Sequence, residues 1–593
     1  MYQNFSTPSS PATGAPRLAA LRTVLKREQL DGFLVPRADA HRGENVAPCD
    51  ERLAWLTGFT GSDGHCAILH DTAGVFADGR YTLQLRNQID TTVFTPQSIP
   101  DDTLSEWLIA HLSSGIIGYD PMLHSYDDIR TLETALTPHG ITLRQSPNLV
   151  DEIWADRPAA PLGAITPHPL EFAGETSAAK RALIANELKK AGLEAGVLTL
   201  PDSICWLLNI RGSDIAHTPV ALAFAIVHQN GSLDLVVDPA KLNTASIAHI
   251  GPDVRVVPPA DFGNSLADLT GNVGVDRASA PIWVSRQLEN PVWFSDPCAL
   301  PKARKNKAEL EGTRQAHLRD AAAMCEFLAW VDAGITGKTE IDVVQKLEAF
   351  RRHSNALTDI SFDTICGTGP NGAIVHYRVD ENSNRPIENN TLLLVDSGGQ
   401  YLDGTTDITR TVIIGDADAD MKKCFTLVLR GMVALSMLRF PEGVAGAHID
   451  TVARAPLWAA GLDYKHGTGH GVGAYLGVHE GPARISRAGT VPLETGMILS
   501  NEPGYYREGA WGIRIENLVA VRAPSLFDDG ETPMHCFETL TWVPIDTRLI
   551  DAPALTQAER MWINGYHADV LEKVSALVSD ATREWLITAC API

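Results

Sequence analysis

The N-terminal half of the chain repeats itself, and that repeat restricts the fold more than any other feature. Leu25-Lys-Arg-Glu-Gln-Leu-Asp-Gly-Phe-Leu34 closes a helical pattern and opens a strand. Leu188-Lys-Lys-Ala-Gly-Leu-Glu-Ala-Gly-Val-Leu198 does the same 163 residues later. Trp55-Leu-Thr-Gly-Phe-Thr-Gly-Ser-Asp63 is answered by Trp206-Leu-Leu-Asn-Ile-Arg-Gly-Ser-Asp214 at an offset of 151, so the first copy carries extra residues, roughly Ala40 to Asp50. Val75-Phe-Ala-Asp78 parallels Val236-Val-Asp-Pro239, and Ile117-Gly-Tyr-Asp120 parallels Val273-Gly-Val-Asp276. Helix, strand, strand, strand, helix, strand is an α/β layout with a mixed sheet. Linker signals at Asp156-Arg-Pro-Ala-Ala-Pro and Ser295-Asp-Pro-Cys-Ala-Leu-Pro301 then bound two related α/β domains, 15–160 and 161–301. Neither copy has a phosphate-cradling Gly-rich loop. Both read as scaffold, with a cap over an active site or an oligomer interface as the alternative. The polar insertion Ala40–Asp50 is the part of the first copy that could reach a substrate.

At 593 residues the chain exceeds a single core. A formal net charge of −23 argues against nucleic-acid partners and anionic membranes. No run of about 18 uncharged apolar residues is present to span a bilayer. Residues 1–14 lack a basic start and an apolar centre, and read as a short disordered lead-in and not a signal peptide. Nine scattered cysteines without a CxxC pair fit reduced thiols and a cytoplasmic location.

The third domain, 302–593, carries the chemistry. A long helix is expected from about Lys307 to Ala333. The apolar run Leu392–Val395 ends on Asp396, and Asp407 opens a second run, Ile408-Thr-Arg-Thr-Val-Ile-Ile414. Two such runs around a Gly-rich turn predict a β-hairpin. With the turn centred between Tyr401 and Leu402, Asp396 and Asp407 face each other, and like charges directly opposed repel. Turn capping explains Asp403 beside Gly404, but not Asp396 at a strand position. His376 ends a short apolar run after Gly367-Thr-Gly-Pro-Asn-Gly372, where a lone histidine is more often structural. Helices are expected from Asp420 to about Phe440 and from about Ala445 to Ala460. Next come His466-Gly-Thr-Gly-His470-Gly-Val-Gly473, whose glycines permit close backbone approach, and His479 in Val478-His-Glu-Gly-Pro482. Glu502 ends a strand before a Pro-Gly turn. In Gly512-Ile-Arg-Ile-Glu-Asn-Leu-Val-Ala-Val521, period-two alternation puts Arg514 and Glu516 on one face, solvated, paired or metal-bound. Four carboxylates, Asp396, Asp407, Glu502 and Glu516, with the imidazole of His470 suit Mn2+, Co2+, Zn2+ or Fe2+ better than Ca2+.

These segments resemble the "pita-bread" metallopeptidases, the family of methionine aminopeptidase, prolidase, creatinase and aminopeptidase P. The resemblance rests on Val395-Asp-Ser-Gly, Asp403-Gly-Thr-Thr-Asp-Ile-Thr-Arg410, His466 to Gly473, Val478 to Pro482, Asn501-Glu-Pro-Gly-Tyr-Tyr506 and Gly512 to Asn517. It covers the whole chain, in the manner of the long, three-domain Xaa-Pro aminopeptidases. The fold it implies is two creatinase-like α/β domains with mixed sheets, followed by an α+β pita-bread catalytic domain with a C-terminal extension. The resemblance implies two divalent metals, Mn2+ first and Zn2+ or Co2+ as alternatives, held by Asp396, Asp407, His470, Glu502 and Glu516. Asp407 and Glu516 would bridge both ions, with a shared water as nucleophile. It further implies Glu502 as general base and His376 and His479 as stabilisers of the oxyanion. His376, His466, His479 and Tyr506 would contact substrate, and Arg514 would stand near the bound proline. The activity implied is removal of the residue preceding a penultimate proline, by a homodimer. The alternatives are a prolidase cutting Xaa-Pro dipeptides only and a non-catalytic binding protein on the same fold.

Overall fold

The internal repeat is a repeat of sheets. The computed structural model describes residues 1–6, 9–528 and 530–593. Six strands form the first sheet: β1 (Gly32–Pro36), β2 (His65–Leu69), β3 (Ala73–Asp78), β4 (Thr95–Ile99), β5 (Gly115–Tyr119) and β6 (Ile141–Gln145). The second sheet has β7 (Ala195–Leu198), β8 (Phe224–His228), β9 (Leu233–Val236), β10 (Val254–Val257), β11 (Val273–Val275) and β12 (Pro291–Trp293). The strand orders are β4-β3-β2-β1-β5-β6 and β10-β9-β8-β7-β11-β12, the same order twice. In each, the first strand pairs antiparallel with the second and parallel with the fifth, so both sheets are mixed. In β1, Phe33 and Val35 enter one apolar core and Leu34 the other. Such a strand is covered on both faces, which is why it reads as a continuous apolar run. The Ala40–Asp50 insertion packs between the two domains: the His41 ring stacks on Phe224 at 4.3 Å, and its Nδ1 lies 3.1 Å from Thr199 O.

These two domains share one compact unit, residues 9–170 with Glu175–Cys298. The second unit holds Ala299–Ile593, Glu171–Gly174 and the N-terminal residues 1–6. The expected disordered lead-in is therefore corrected for those six. Tyr2 N donates to Glu348 Oε1 at 3.0 Å, Thr364 N donates to Gln3 Oε1 at 2.9 Å, and Glu381 N donates to Phe5 O at 2.9 Å. Phe5 also packs against the apolar core of this unit. A packed aromatic ring, backbone hydrogen bonds and the buried Gln3 side chain hold a segment whose composition alone lacks a core. A 3₁₀ turn (Pro11–Thr13) and a helix beginning at Gly14 follow; Thr7 and Pro8 lie outside the described residues.

In the second unit α1 spans Lys307–Asp332, close to expectation, and α2 spans Glu340–His353. Both begin with capping boxes, Asn306 with Glu309 and Thr339 with Asp342. Strands β13 (Ile365–Thr368), β14 (Thr391–Ser397) and β15 (Ile408–Ile414) make one sheet. Helices α3 (Ala419–Ser436) and α4 (Gly446–Ala459) follow, then β16 (Ile498–Asn501), β17 (Gly504–Arg507), β18 (Trp511–Arg514) and β19 (Asn517–Val521). The chain ends in α5 (Gln557–Val574) and α6 (Asp580–Ala589). Leu392 to Val395 of β14 share one core with Val428 of α3 and with Ile563 and Val570 of α5, so the C-terminal helices close the core behind the hairpin.

Two register expectations need correction. In the β14–β15 pair, Asp396 faces Thr409, not Asp407. The inner pairs Gln400 with Thr405 and Tyr401 with Gly404 hold the same register, which centres the turn one residue later, between Leu402 and Asp403. Moving the centre by one residue shifts the pairing by two, so Asp407 stays on the face of Asp396 as a diagonal neighbour. The strand expected over Gly512–Val521 is also broken. β18 ends at Arg514, β19 starts at Asn517, and Glu516 lies in the gap, its N–H donating to Thr409 O at 3.2 Å.

Candidate metal centre

Asp396 closes the buried strand β14, and Asp407 stands directly before β15. Glu502 follows β16 and Glu516 lies between β18 and β19. His470 sits in a two-residue bridge, Gly469–His470, paired with Arg484–Ile485. The glycines here are required by packing. A Cβ on Gly469 would stand 2.0 Å from Ser500 O, and one on Gly471 would stand 2.1 Å from Glu480 O.

The structure brings these acids together. Ligand atoms of Asp407, His470 and Glu516 lie within 4.8 Å of one another. His470 Nε2 is 3.4 Å from Asp407 Oδ2 and 3.6 Å from Glu502 Oε1. With Nδ1–H donating to Gly471 O at 3.0 Å, Nε2 of His470 is the nitrogen turned toward the acids. Asp396 Oδ2 accepts from Arg514 Nη2 at 2.6 Å, and Glu516 Oε2 accepts from Thr409 Oγ1 at 2.7 Å. The remaining oxygens Asp396 Oδ1, Asp407 Oδ1 and Glu516 Oε1 are buried without a hydrogen-bond partner. Three orphaned carboxylate oxygens in one buried cluster are costly unless a cation receives them. Burial and the neighbouring Asp396 hold the Asp407 carboxyl well above the ordinary carboxylate range. Burial and then Asp407 do the same to Glu516, and burial pushes Glu502 up to about 7. The donor set fits divalent cations of the Mn2+ to Zn2+ kind.

Around the acids runs a chain of hydrogen bonds. Buried Arg514 donates to Asp396, to Tyr506 OH at 2.5 Å and to Thr409 Oγ1 at 3.2 Å. Tyr506 OH donates onward to His466 Nε2 at 2.9 Å, which matches His466 Nδ1–H donating to Gly467 O at 2.7 Å. Burial pushes the Tyr506 hydroxyl up to about 12, so it remains a donor at neutral pH. His479 is exposed, with its ring 4.2 Å from that of His470. His376 lies in the turn after a 3₁₀ segment (Gly369–Ala373), and the preceding Val375 O accepts from Arg514 Nη1 at 3.4 Å.

Sequence reasoning gave no role to several groups that hold this arrangement. Thr409 bonds both Glu516 and Arg514, a contact visible only once the hairpin register is known. Arg454 of α4 pairs with Asp450 at 2.8 Å and donates to His466 O at 2.6 Å, while Thr468 Oγ1 donates to Asp450 at 2.5 Å. Glu480, next to His479, is buried against Lys302 at 3.1 Å and against Lys305. Arg410 stood in a quoted motif without a role. It is fully buried and donates to Glu516 O at 2.6 Å, Asn517 Oδ1 at 2.8 Å and Tyr566 OH at 2.9 Å.

Comparison with known proteins decides the family. The model of metallopeptidase family M24 matches residues 311–523, with its C-terminal region at 533–593. Creatinase/prolidase N-terminal domains match 17–153 and 156–309. Aminopeptidase P2 of Arabidopsis thaliana is 40% identical, covering 95% of this chain and 86% of that protein. The chain belongs to metallopeptidase family M24. Within M24, a probable Xaa-Pro aminopeptidase P of Laccaria bicolor is 41% identical over 97% of this chain and 93% of its own. The crystal structure of the X-prolyl aminopeptidase from Caenorhabditis elegans, described as a cytosolic enzyme with a di-nuclear active site, matches with a TM-score of 0.94. It is 34% identical and covers 98% of this chain and 100% of that one. The prolidase from Pyrococcus horikoshii, 21% identical, covers 62% of this chain and 99% of its own with a TM-score of 0.50, and shares the fold alone.

Proposed function

We propose that this M24 chain is a metal-dependent Xaa-Pro aminopeptidase, releasing the first residue of peptides with proline second. The observation that carries the reading is near full-length similarity, at 34–41% identity, to proteins bearing that name. Asp396, Asp407, His470, Glu502 and Glu516 would hold two divalent cations, with Mn2+ as the expected metal. When bound, such ions supply Lewis acidity and make water nucleophilic near neutral pH. Glu502 would take the water proton on its carboxylate. His376 and His479 would donate to the developing oxyanion. Tyr506 and His466, joined at 2.9 Å, with His479 would wall the proline ring, and Arg514 would hold Asp396 and Tyr506 in place. An Xaa-Pro amide has no N–H to offer, so recognition must come from such side walls and not from a backbone donor.

A cytoplasmic site of action belongs to this reading, supported by cysteines that form no disulfide among themselves and by the cytosolic description of the Caenorhabditis elegans relative. A homodimer and the division 15–160, 161–301 and 302–593 belong to the same reading. Hydrolysis of Arg-Pro-Pro against Gly-Pro by Mn2+-loaded protein tests it. Release of arginine from the tripeptide is expected, and cleavage of the dipeptide alone would make the chain a prolidase. Elemental analysis finding no transition metal, with no activity gained on adding Mn2+, would leave a binding protein.

A further inference from the structure

Glu340 is the first residue of α2 and is 0% exposed. Its carboxylate collects donors from a long excursion of chain. Thr368 N donates to Oε1 at 2.8 Å, and Asn371 Nδ2 lies 3.1 and 3.0 Å from the two oxygens. Tyr377 OH donates to Oε2 at 2.9 Å and Arg385 N at 3.0 Å. In return Glu340 N donates to Arg385 O at 3.0 Å. All four donors are neutral. A buried carboxylate answered only by neutral groups is an expensive way to fasten a loop. Burial raises its carboxyl above the ordinary range while the four donors pull it back.

What the clamp encloses explains the expense. His376 lies between Asn371 and Tyr377, two residues tied to the same carboxylate, and Tyr377 N donates back to Ile374 O at 3.1 Å. Val375 O, one residue before His376, meets Arg514, which bonds Asp396. The segment is thus pinned on one side by Glu340 and on the other meets Arg514, the partner of Asp396. We propose that Glu340 is a positioning residue for His376, fixing the turn that presents this histidine to the substrate carbonyl. The proposal rests on the role given to His376 under the proposed function. The carboxylate form is required. Thr368 N–H and Arg385 N–H approach different oxygens, and both can only donate. A glutamine would set its own N–H2 against one of them and leave that donor unpaired.

The test is a double-mutant cycle on Mn2+-loaded, full-length protein, reading kcat, KM and metal per chain with an Xaa-Pro-Xaa peptide. His376→Ala is expected to lower kcat about 10²–10³-fold, the scale of one lost oxyanion donor. Glu340→Gln is expected to lower kcat about tenfold or more, with KM and metal content near wild type. The double variant should be no slower than His376→Ala, because Glu340 acts only through that side chain. Full additivity, or a wild-type kcat in Glu340→Gln, overturns the proposal while leaving His376 in place. An unchanged kcat in His376→Ala overturns the role of His376 and this proposal with it. If Glu340→Gln yields no folded protein, Tyr377→Phe, which removes one donor and keeps the carboxylate, enters the same cycle with the same criteria.

Discussion

Glu502 combines two demands on one carboxyl. As a proposed ligand it would have to lose its proton to hold a cation, while in the metal-free chain burial pushes it up to about 7. A carboxyl raised in the folded state binds more protons there than in the unfolded chain. Its stabilising contribution is therefore complete below the unfolded value, near 4.5, and is lost as pH rises through about 7. Metal-free protein should melt lower at pH 8 than at pH 5, with this group contributing in that direction. Thermal melts after chelation, on wild type and on Glu502→Gln, check it, and the variant should lose that part of the pH dependence. Added Mn2+ should restore the pH 8 melting temperature in wild type, since cations bind the deprotonated ligands. Asp407 and Glu516 stand deeper still, each with one orphaned oxygen. Removing an outer-shell partner of a metal ligand already costs about 10–100-fold. Asp407→Asn and Glu516→Gln should therefore each lower turnover more than about 100-fold and reduce bound metal, as read by elemental analysis. Full turnover in either would remove that residue from the ligand set.

At the level of elements, what could be read in the sequence was what local pattern encodes. The paired sheets were legible because β1 and β7 repeat the same helix-to-strand junction, and α1 because its apolar residues keep helical spacing. The hairpin was legible as a hairpin, but its register was not. A Gly-rich turn admits neighbouring centres, and only long-range bonds such as Glu516 N to Thr409 O select one. The four proposed carboxylate ligands stood out because acids at strand ends violate the apolar pattern, and His470 because it sits among glycines close to two further histidines. Glu340, Thr409 and Asp450 did not, because acids and hydroxyls near helix starts or in strands are ordinary until their distant partners are known. Arg410 and Tyr566 show the same limit and make α5 part of the catalytic architecture. Tyr566 OH takes a hydrogen bond from Arg410 at 2.9 Å and donates to Val543 O at 2.8 Å, while Arg410 reaches the carbonyl of Glu516. Tyr566→Phe leaves the ring in its core and removes one buried hydrogen-bonding group. It should cost about 1–3 kcal/mol, visible as a lower urea midpoint at unchanged slope. A midpoint equal to wild type would mean that Arg410 is satisfied without α5.

Over the whole molecule the feature left to account for is charge. The chain carries 72 acidic and 49 basic side chains, a formal net charge of −23. Such a field does nothing to specify the fold, but it acts on every ligand that approaches. Peptides of the class proposed here carry both an amino terminus and a carboxylate, so the field favours those whose first residue is cationic and disfavours those whose first residue is acidic. Its reach is set by salt, since the screening length falls from about 10 Å at 0.1 M to about 3 Å at 1 M. The expected outcome is a ratio of kcat/KM for Arg-Pro-Pro over Asp-Pro-Pro that falls several-fold as NaCl is raised from low salt to about 1 M. Taking the ratio cancels any effect of salt on the metal centre, because both peptides meet the same ligands. The fall should appear in KM more than in kcat, since steering acts before the peptide is bound. A ratio independent of salt would show that the acidic surface serves solubility alone and that discrimination between these peptides arises inside the site.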